Sequence, residues 1–200
     1  MPGNPWPHDM TITVEDGPTF LVDLLFVRSV WKLNPAGVPP LAREPDPGTS
    51  TRPWRPGVED LERLWLIDWQ RAWTEFEADR SVRIPDAVVL RQIADSSDEE
   101  LWDAFYACRP SELWYSVGMD RDAANRWRMS LADDHRRPFA ETPEWQALPA
   151  LIHAWQQGVD TIIQLPYSGH HVERLNRTHL LVSQETRHNQ ELYADALAGV

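Results

Sequence analysis

The sequence contains a single cysteine, Cys108, among its 200 residues. One thiol cannot form an intrachain disulfide, so the disulfide framework of a small secreted protein is excluded. The first ten residues, MPGNPWPHDM, also lack the basic and then apolar profile of a signal peptide. We therefore expect the protein to work in a reducing cytoplasm.

Long uninterrupted apolar runs are missing as well. The closest candidate, TFLVDLLFVRSVWKL, is interrupted by Asp23, Arg28 and Lys32. A helix that crosses a bilayer needs roughly 20 predominantly apolar residues in succession. We therefore expect no membrane among the partners of this protein.

Positive charge is scarce, since the chain has 31 acidic residues and only 19 lysines and arginines, which gives a formal net charge of -12. Such a surface repels polyanions, so nucleic acid is not an expected partner. The acidity is concentrated in residues 59–112, whereas residues 121–190 contain eight acidic residues and eight arginines. Lys32 is the only lysine, so nearly all positive charge is guanidinium, which makes planar bidentate contacts with carboxylate or phosphate.

Hydrophobic residues make up 42% of the chain and charged residues 25%, which is typical of a folded globular protein. The length suits one domain spanning residues 1–200. Seven of the seventeen prolines fall in residues 34–57, which predicts a long loop. We expect a helical region over residues 58–157 and a strand, loop, strand and helix over residues 158–200.

Several segments have helical periodicity. Residues 58–79 place apolar side chains at intervals of three or four, namely Val58, Leu61, Trp65, Trp69, Trp73 and Phe76. The period of residues 18–33 is ambiguous between helix and strand, and its length favours a helix. Ser97 and Glu100 form a capping box, and residues 119–131 contain a further apolar stripe.

The C-terminal part predicts a small sheet. Thr142 and Pro143 suit the start of a helix that ends near Gly158, and Asn189 suits the start of a closing helix. TIIQL and THLLVS between them are of strand length. A turn in the connector PYSGHHVERLNR gives antiparallel strands, which we prefer, and a helical turn at residues 170–175 gives a parallel crossover. The predicted fold is α+β and mainly helical, with a small antiparallel sheet near the C-terminus.

Tryptophan is unusually abundant, with eleven residues. Tryptophan is enriched in binding hot spots, so an exposed ladder could bind a partner. Core packing of one amphipathic helix explains the same spacing, and we favour it for the stripe. An oligomer interface would also account for the wide apolar surface of this helix. The candidate partner-binding residues are Trp54, Trp65, Trp69 and Trp73.

A second candidate site lies in residues 167–188, where histidines and arginines surround a permissive glycine. Guanidinium groups and a helix start suit an anionic ligand such as phosphate or a carboxylate. A solvated surface of ion pairs explains the same residues and is the favoured interpretation. The candidate anion-binding residues are Tyr167, Ser168, His170, Arg174, Arg177, His179 and Arg187.

Recognisable catalytic and cofactor motifs are missing. The chain has neither HExxH nor a cysteine pair, and the neighbouring His170 and His171 point in different directions, so no metal site is predicted. It also lacks GxSxG, GxGxxG and GxxxxGK[ST] motifs, so no cofactor is predicted. Whether the protein is an enzyme stays open at this point.

The favoured functional hypothesis is a non-enzymatic interaction protein, such as an acidic adaptor, inhibitor or immunity-like protein, whose partner is another protein. The alternative is a small enzyme or ligand-binding domain that acts on an anionic substrate through residues 167–188. A regulator that mimics nucleic acid through residues 59–112 is a third hypothesis.

Overall fold

The computed structural model describes residues 5–53, 57–77, 113–116, 118–133 and 136–200. Trp54, Cys108 and the predicted capping box at Ser97 lie outside these residues. The described residues form two compact units. The sheet unit falls within Met1–Thr19, Gly37–Glu44 and Arg126–Val200, and the helical unit within Phe20–Ala36 and Pro45–Asn125. The predicted single domain stays a prediction.

The helical unit contains nearly all of α1 (Thr19–Val30), together with α2 (Val58–Glu77), α3 (Leu113–Ser116) and the first residues of α4 (Arg121–Leu131). The ambiguous segment of residues 18–33 is therefore a helix. Nine consecutive residues of α1 are buried, from Leu21 to Ser29. A helix that is buried on all sides is apolar all round and has no single apolar face. This explains why the sequence of α1 has no clear period.

The prediction that the tryptophan stripe of α2 packs in the core is confirmed for two of its tryptophans, Trp65 and Trp69. Trp65 is fully buried, and its indole N–H donates to the carbonyl oxygen of Leu24 at 2.7 Å. Trp69 is 8% exposed and stacks on Trp65 with ring centroids 4.9 Å apart. Trp73 is partly buried and meets the rings of Trp69 and Phe76 edge-on.

The sheet unit contains a four-stranded mixed sheet of β1 (Thr13–Glu15), β2 (Thr161–Leu165), β3 (Val172–Arg174) and β4 (His179–Ser183), in the order β1-β2-β4-β3. The predicted α+β class is confirmed. The preferred antiparallel pairing of TIIQL with THLLVS is wrong, because β2 and β4 pair in parallel. Strand β1 also pairs in parallel with β2, so a strand from the N-terminal part completes the sheet.

The connector was expected to be a turn or a helical turn, but it contains an edge strand. This strand accounts for the parallel pairing of β2 and β4. Strand β3 runs antiparallel to β4, so the chain reverses direction twice and β4 returns parallel to β2. The side chain of Asn176 closes the second reversal, since its Oδ1 accepts from the backbone N–H groups of Thr178 and His179 at 2.9 Å each. Strand β3 is three residues long and has one apolar residue, Val172, so it has no visible period.

The remaining elements of the sheet unit are the rest of α4, a 3₁₀ helix (Phe139–Glu141), α5 (Pro143–Gln146), α6 (Leu148–Gln156), α7 (Gln184–His188) and α8 (Gln190–Ala198). The predicted caps are present, since Thr142 accepts from the N–H of Trp145 and Asn189 accepts from Glu191 and Leu192.

The core contains apolar residues of α6, β2, β4 and α8, among them Leu151, Ala154, Ile162, Leu180, Val182 and Leu197.

The described part of the proline-rich loop, residues 34–53, contains no helix or strand apart from one isolated bridge between Leu41 and Tyr167. Two backbone hydrogen bonds of 2.9 Å flank this bridge, from Ala42 to Pro166 and from Ser168 to Pro40. Among the described helices, none combines the length and the apolar character that crossing a bilayer requires.

Candidate functional site

Polar residues lie at or directly after the carboxyl ends of the parallel strands of the sheet unit. Asp16 comes directly after β1, Gln164 lies one residue before the end of β2, and Arg187 lies in the helix that follows β4 directly. Because β1, β2 and β4 are parallel, their carboxyl ends share one edge of the sheet. Ligands of open sheets with parallel strands bind outside this edge.

A cleft of about 450 Å³ lies at this edge. Its size falls within the range of small-molecule sites, roughly 300–1,000 Å³. All of its lining residues belong to the sheet unit. They are Val14, Asp16, Asp133, Arg137, Phe139, Thr142, Pro143, Glu144 and Arg187.

Arg187 is the central side chain of the cleft wall and is only 4% exposed. Its Nε and Nη2 donate to the two carboxylate oxygens of Glu144 at 2.8 and 3.0 Å. Its Nη1 donates to Gln164 Oε1 at 2.9 Å and to the carboxylate of Asp133. A buried guanidinium is stable only when it is paired and hydrogen-bonded, and these contacts supply both conditions.

The cluster continues behind and beside Arg187. The hydroxyl of the fully buried Tyr193 donates to Glu144 Oε1 at 3.1 Å. His188 Nε2 lies 2.9 Å from Asp133 Oδ1, and its Nδ1 lies 3.0 Å from the carbonyl oxygen of Gln184. These contacts fix the orientation of both carboxylates that pair with Arg187.

The pairing changes the ionisation of three groups. Burial disfavours the charge of Arg187, but the hydrogen bond and charge of Glu144 raise its pKa above the ordinary value. Partial burial opposes ionisation of Asp133, while His188 and Arg187 together hold its pKa well below the ordinary value. Burial and the charge of Glu144 raise the pKa of Tyr193 well above its ordinary value. At neutral pH, Asp133 and Arg187 are therefore charged and the Tyr193 hydroxyl is neutral.

Two further charges line the cleft outside this cluster. Asp16 is half-buried, and one of its carboxylate oxygens accepts from the backbone N–H of Asp133 at 3.1 Å. Arg137 is exposed and forms no ion pair with any residue that the structure describes. The wall therefore presents one carboxylate and one guanidinium whose charges the cluster does not neutralise.

The structure separates the residues of the predicted anion site between two edges of the sheet. Tyr167 is buried, and Ser168 and His170 are exposed after the carboxyl end of β2. Arg174 and Arg177 are exposed, as expected, in and after β3 near the opposite edge. Buried His179 starts β4 at that same edge. Of the seven predicted residues, only Arg187 lines the cleft.

Two of the three predicted arginines, Arg174 and Arg187, already have protein partners. Arg174 donates to the carbonyl oxygen of Arg177 at 2.9 Å and to that of Gln157 at 3.3 Å, so its guanidinium holds the β3–β4 turn. Arg187 pairs with two carboxylates. The binding of an anion by residues 167–188 stays a prediction.

The structure also locates the predicted tryptophans and the side chains of the types that bind metal ions. Trp65 and Trp69 are buried and Trp73 is partly buried, so the partner-binding role of the stripe also stays a prediction. Within the described residues, histidine, cysteine, aspartate and glutamate form no group of three that could hold a metal ion.

Sequence reasoning missed five charged or aromatic residues of the cleft, namely Asp16, Asp133, Arg137, Phe139 and Glu144. No motif connects them, since Asp16 and Asp133 are 117 positions apart and Glu144 and Arg187 are 43 apart. The one local signal is the position of Asp16, an acidic residue directly after a short strand. That signal becomes informative only when the parallel strand order is known.

Comparison of the chain with protein-family models, with curated proteins and with solved structures finds no match in any of the three. The function is therefore inferred from the geometry of the cleft.

Proposed function

We propose that the sheet unit is a small-molecule-binding domain and that its ligand occupies the cleft at the carboxyl ends of β1, β2 and β4. The main support is that Asp16, after β1, and Arg187, after β4, line one cleft with charged walls, while Gln164 near the end of β2 accepts a hydrogen bond from Arg187. Small-molecule sites in proteins combine such a cavity with a few precisely placed polar groups.

The buried cluster supports this proposal because stability alone does not explain it. A buried ion pair is often no more stabilising than well-packed apolar residues of the same volume. The cluster of Arg187, Glu144 and Asp133 does hold charged groups in fixed positions at a cavity wall. Such preorganisation lowers the ordering cost that a ligand would otherwise meet.

The charge balance of the walls favours a ligand with a positively charged group. The lining contains three carboxylates, Asp16, Asp133 and Glu144, but only two guanidinium groups, Arg137 and Arg187. A ligand with negative charge alone would find Arg187 already paired with carboxylates and would be repelled by the carboxylate of Asp16. The proposal thus keeps the ligand-binding alternative of the sequence analysis and changes the charge of the ligand.

A ligand screen tests this function. Thermal denaturation is followed with a panel of amines, amino acids, sugars, carboxylates and nucleotides, and each stabilising compound is titrated by calorimetry into wild type and Asp16→Asn. We expect a compound with a cationic group to bind, and Asp16→Asn to weaken it about tenfold, which corresponds to about 1.4 kcal/mol.

Asp9→Asn is the matched control, since Asp9 is an exposed aspartate of the same unit that does not line the cleft. The control should bind like wild type. A panel without any binder at millimolar concentration, or binders that Asp16→Asn leaves unchanged, would refute the proposal.

The interaction hypothesis remains a separate prediction. Its aromatic surface is reduced by the burial of Trp65 and Trp69 in the helical unit, which leaves Trp73 as the partly exposed member among the three that the structure describes. Much of the acidic stretch of residues 59–112 lies outside the described residues.

A further inference from the structure

We propose that the ligand of this cleft is a small zwitterion with an ammonium group, a carboxylate group and an apolar part. This inference rests on the proposed function and specifies its ligand class. It follows from the two wall charges outside the buried cluster and from an exposed aromatic ring at the same cleft.

The cluster around Arg187 uses its charges internally. Glu144 is bound side-on by Arg187 and also accepts from Tyr193. Asp133 accepts from Arg187 and contacts His188. Four of the five N–H groups of Arg187 are donated within this cluster, which leaves little of its guanidinium for a ligand.

Asp16 is the group that would receive an ammonium. Its Oδ2 accepts from the backbone N–H of Asp133, and its Oδ1 has no hydrogen bond from the residues that the structure describes. A carboxylate is an acceptor with about four lone-pair sites, and an ammonium offers three N–H donors. Asp16 lies directly after β1, so this acceptor is held next to the end of a strand of the sheet.

Arg137 is the group that would receive a carboxylate. It lines the same cleft, is exposed, and makes no ion pair among the described residues. The planar guanidinium matches a carboxylate by two parallel N–H···O bonds, which adds geometric specificity to the charge. A simple amine would leave this guanidinium without a partner in the bound state.

Phe139 supplies an apolar contact at the same cleft. This ring is 56% exposed although it is a large apolar side chain, and it lines the cavity. Trp145 and Trp6 hold it from the protein side, with ring centroids 5.2 and 5.7 Å from that of Phe139. Covering this ring with an apolar group of the ligand would remove apolar surface from water.

Calorimetric titration with three related probes tests the inference. L-Phenylalanine has the ammonium, the carboxylate and an aromatic group, 2-phenylethylamine lacks the carboxylate, and 3-phenylpropanoate lacks the ammonium. A series of ω-amino acids of increasing length covers other separations of the two charges. We expect at least one zwitterion to bind about tenfold or more tightly than its single-charge analogues, which is the effect of one charge-assisted contact.

The variants identify which residue meets which charge. Arg137→Gln should reduce the affinity for the zwitterion about tenfold and leave the affinity for the amine unchanged. Asp16→Asn should reduce both affinities. Arg43→Gln is the matched control, because Arg43 is an exposed arginine of the sheet unit that does not line the cleft.

The inference and the proposed function fail in different ways. If amines bind as tightly as every zwitterion and Arg137→Gln has no effect, the ligand is a simple cation, and only the inference is overturned. The same holds if no zwitterion binds while another compound of the screen binds and depends on Asp16. If no compound of either panel binds, the proposed function itself fails.

Discussion

Glu144→Ala is the substitution that tests the buried cluster most severely. It removes both acceptors of Nε and Nη2 of Arg187 and the acceptor of the Tyr193 hydroxyl, all at buried positions. Breaking a buried ion pair costs about 3–5 kcal/mol, because the remaining charge stays desolvated. Asp133 and Gln164 still accept from Arg187, which reduces the loss, and the unsatisfied Tyr193 hydroxyl increases it. We expect a loss of about 4 kcal/mol in the free energy of unfolding.

Urea unfolding followed by far-UV circular dichroism measures this loss for wild type, Glu144→Ala and two comparison variants. Tyr193→Phe removes one hydrogen bond to a carboxylate that Arg187 still holds, so about 1–2 kcal/mol is expected. Glu141→Ala is the matched control, since Glu141 is an exposed glutamate three residues away, and it should change stability by less than about 0.5 kcal/mol. A loss below about 1 kcal/mol for Glu144→Ala would refute the cluster as described.

Three further predictions concern other parts of the chain. The lowered pKa of Asp133 means that its stabilising contribution is complete above its ordinary pKa of 3.8 and disappears as pH falls below that value. Wild type should therefore lose more stability than Asp133→Asn between about pH 5 and about pH 3 in urea titrations. Trp69→Ala should cost about 3–5 kcal/mol, because it empties a buried aromatic site stacked on Trp65, and urea unfolding measures this loss as well. Gly118→Ala should lower the melting temperature clearly, because a Cβ there would overlap the carbonyl oxygen of Thr51 and φ is +123°.

Local signals made the helix boundaries predictable. The stripe of α2 repeats over several turns, and the caps at Thr142 and Asn189 require only neighbouring residues. These features depend on contacts within a few positions, so one sequence is enough to identify them.

The sheet topology was not predictable for the opposite reason. The pairing of β2 with β4 depends on β3, which is a three-residue strand with one apolar side chain. The same connector was expected to be a turn, which gives antiparallel strands, or a helical turn, which gives a parallel crossover, and the edge strand β3 is neither. A short edge strand is identified by its partner and not by its own period.

The candidate site was predictable only in part. Arg187 belongs to a local concentration of histidine and arginine and was named for that reason. Asp16, Asp133 and Glu144 join it in the cleft only through tertiary contacts, over separations that no local pattern spans. An anionic ligand was therefore predicted from the sequence, and the carboxylates that pair with Arg187 are the reason why we propose a cationic group instead.

The most direct test of the cleft as a ligand site is an amide NMR titration of ¹⁵N-labelled protein with a compound that stabilises it in the thermal screen. The proposed function predicts that the largest shift changes occur at the strand ends and the cleft wall, at Asp16, Asp133, Arg137 and Arg187, and that Asp16→Asn weakens them. Shift changes confined to the helical unit, with these amides unchanged at saturation, would contradict the proposed function.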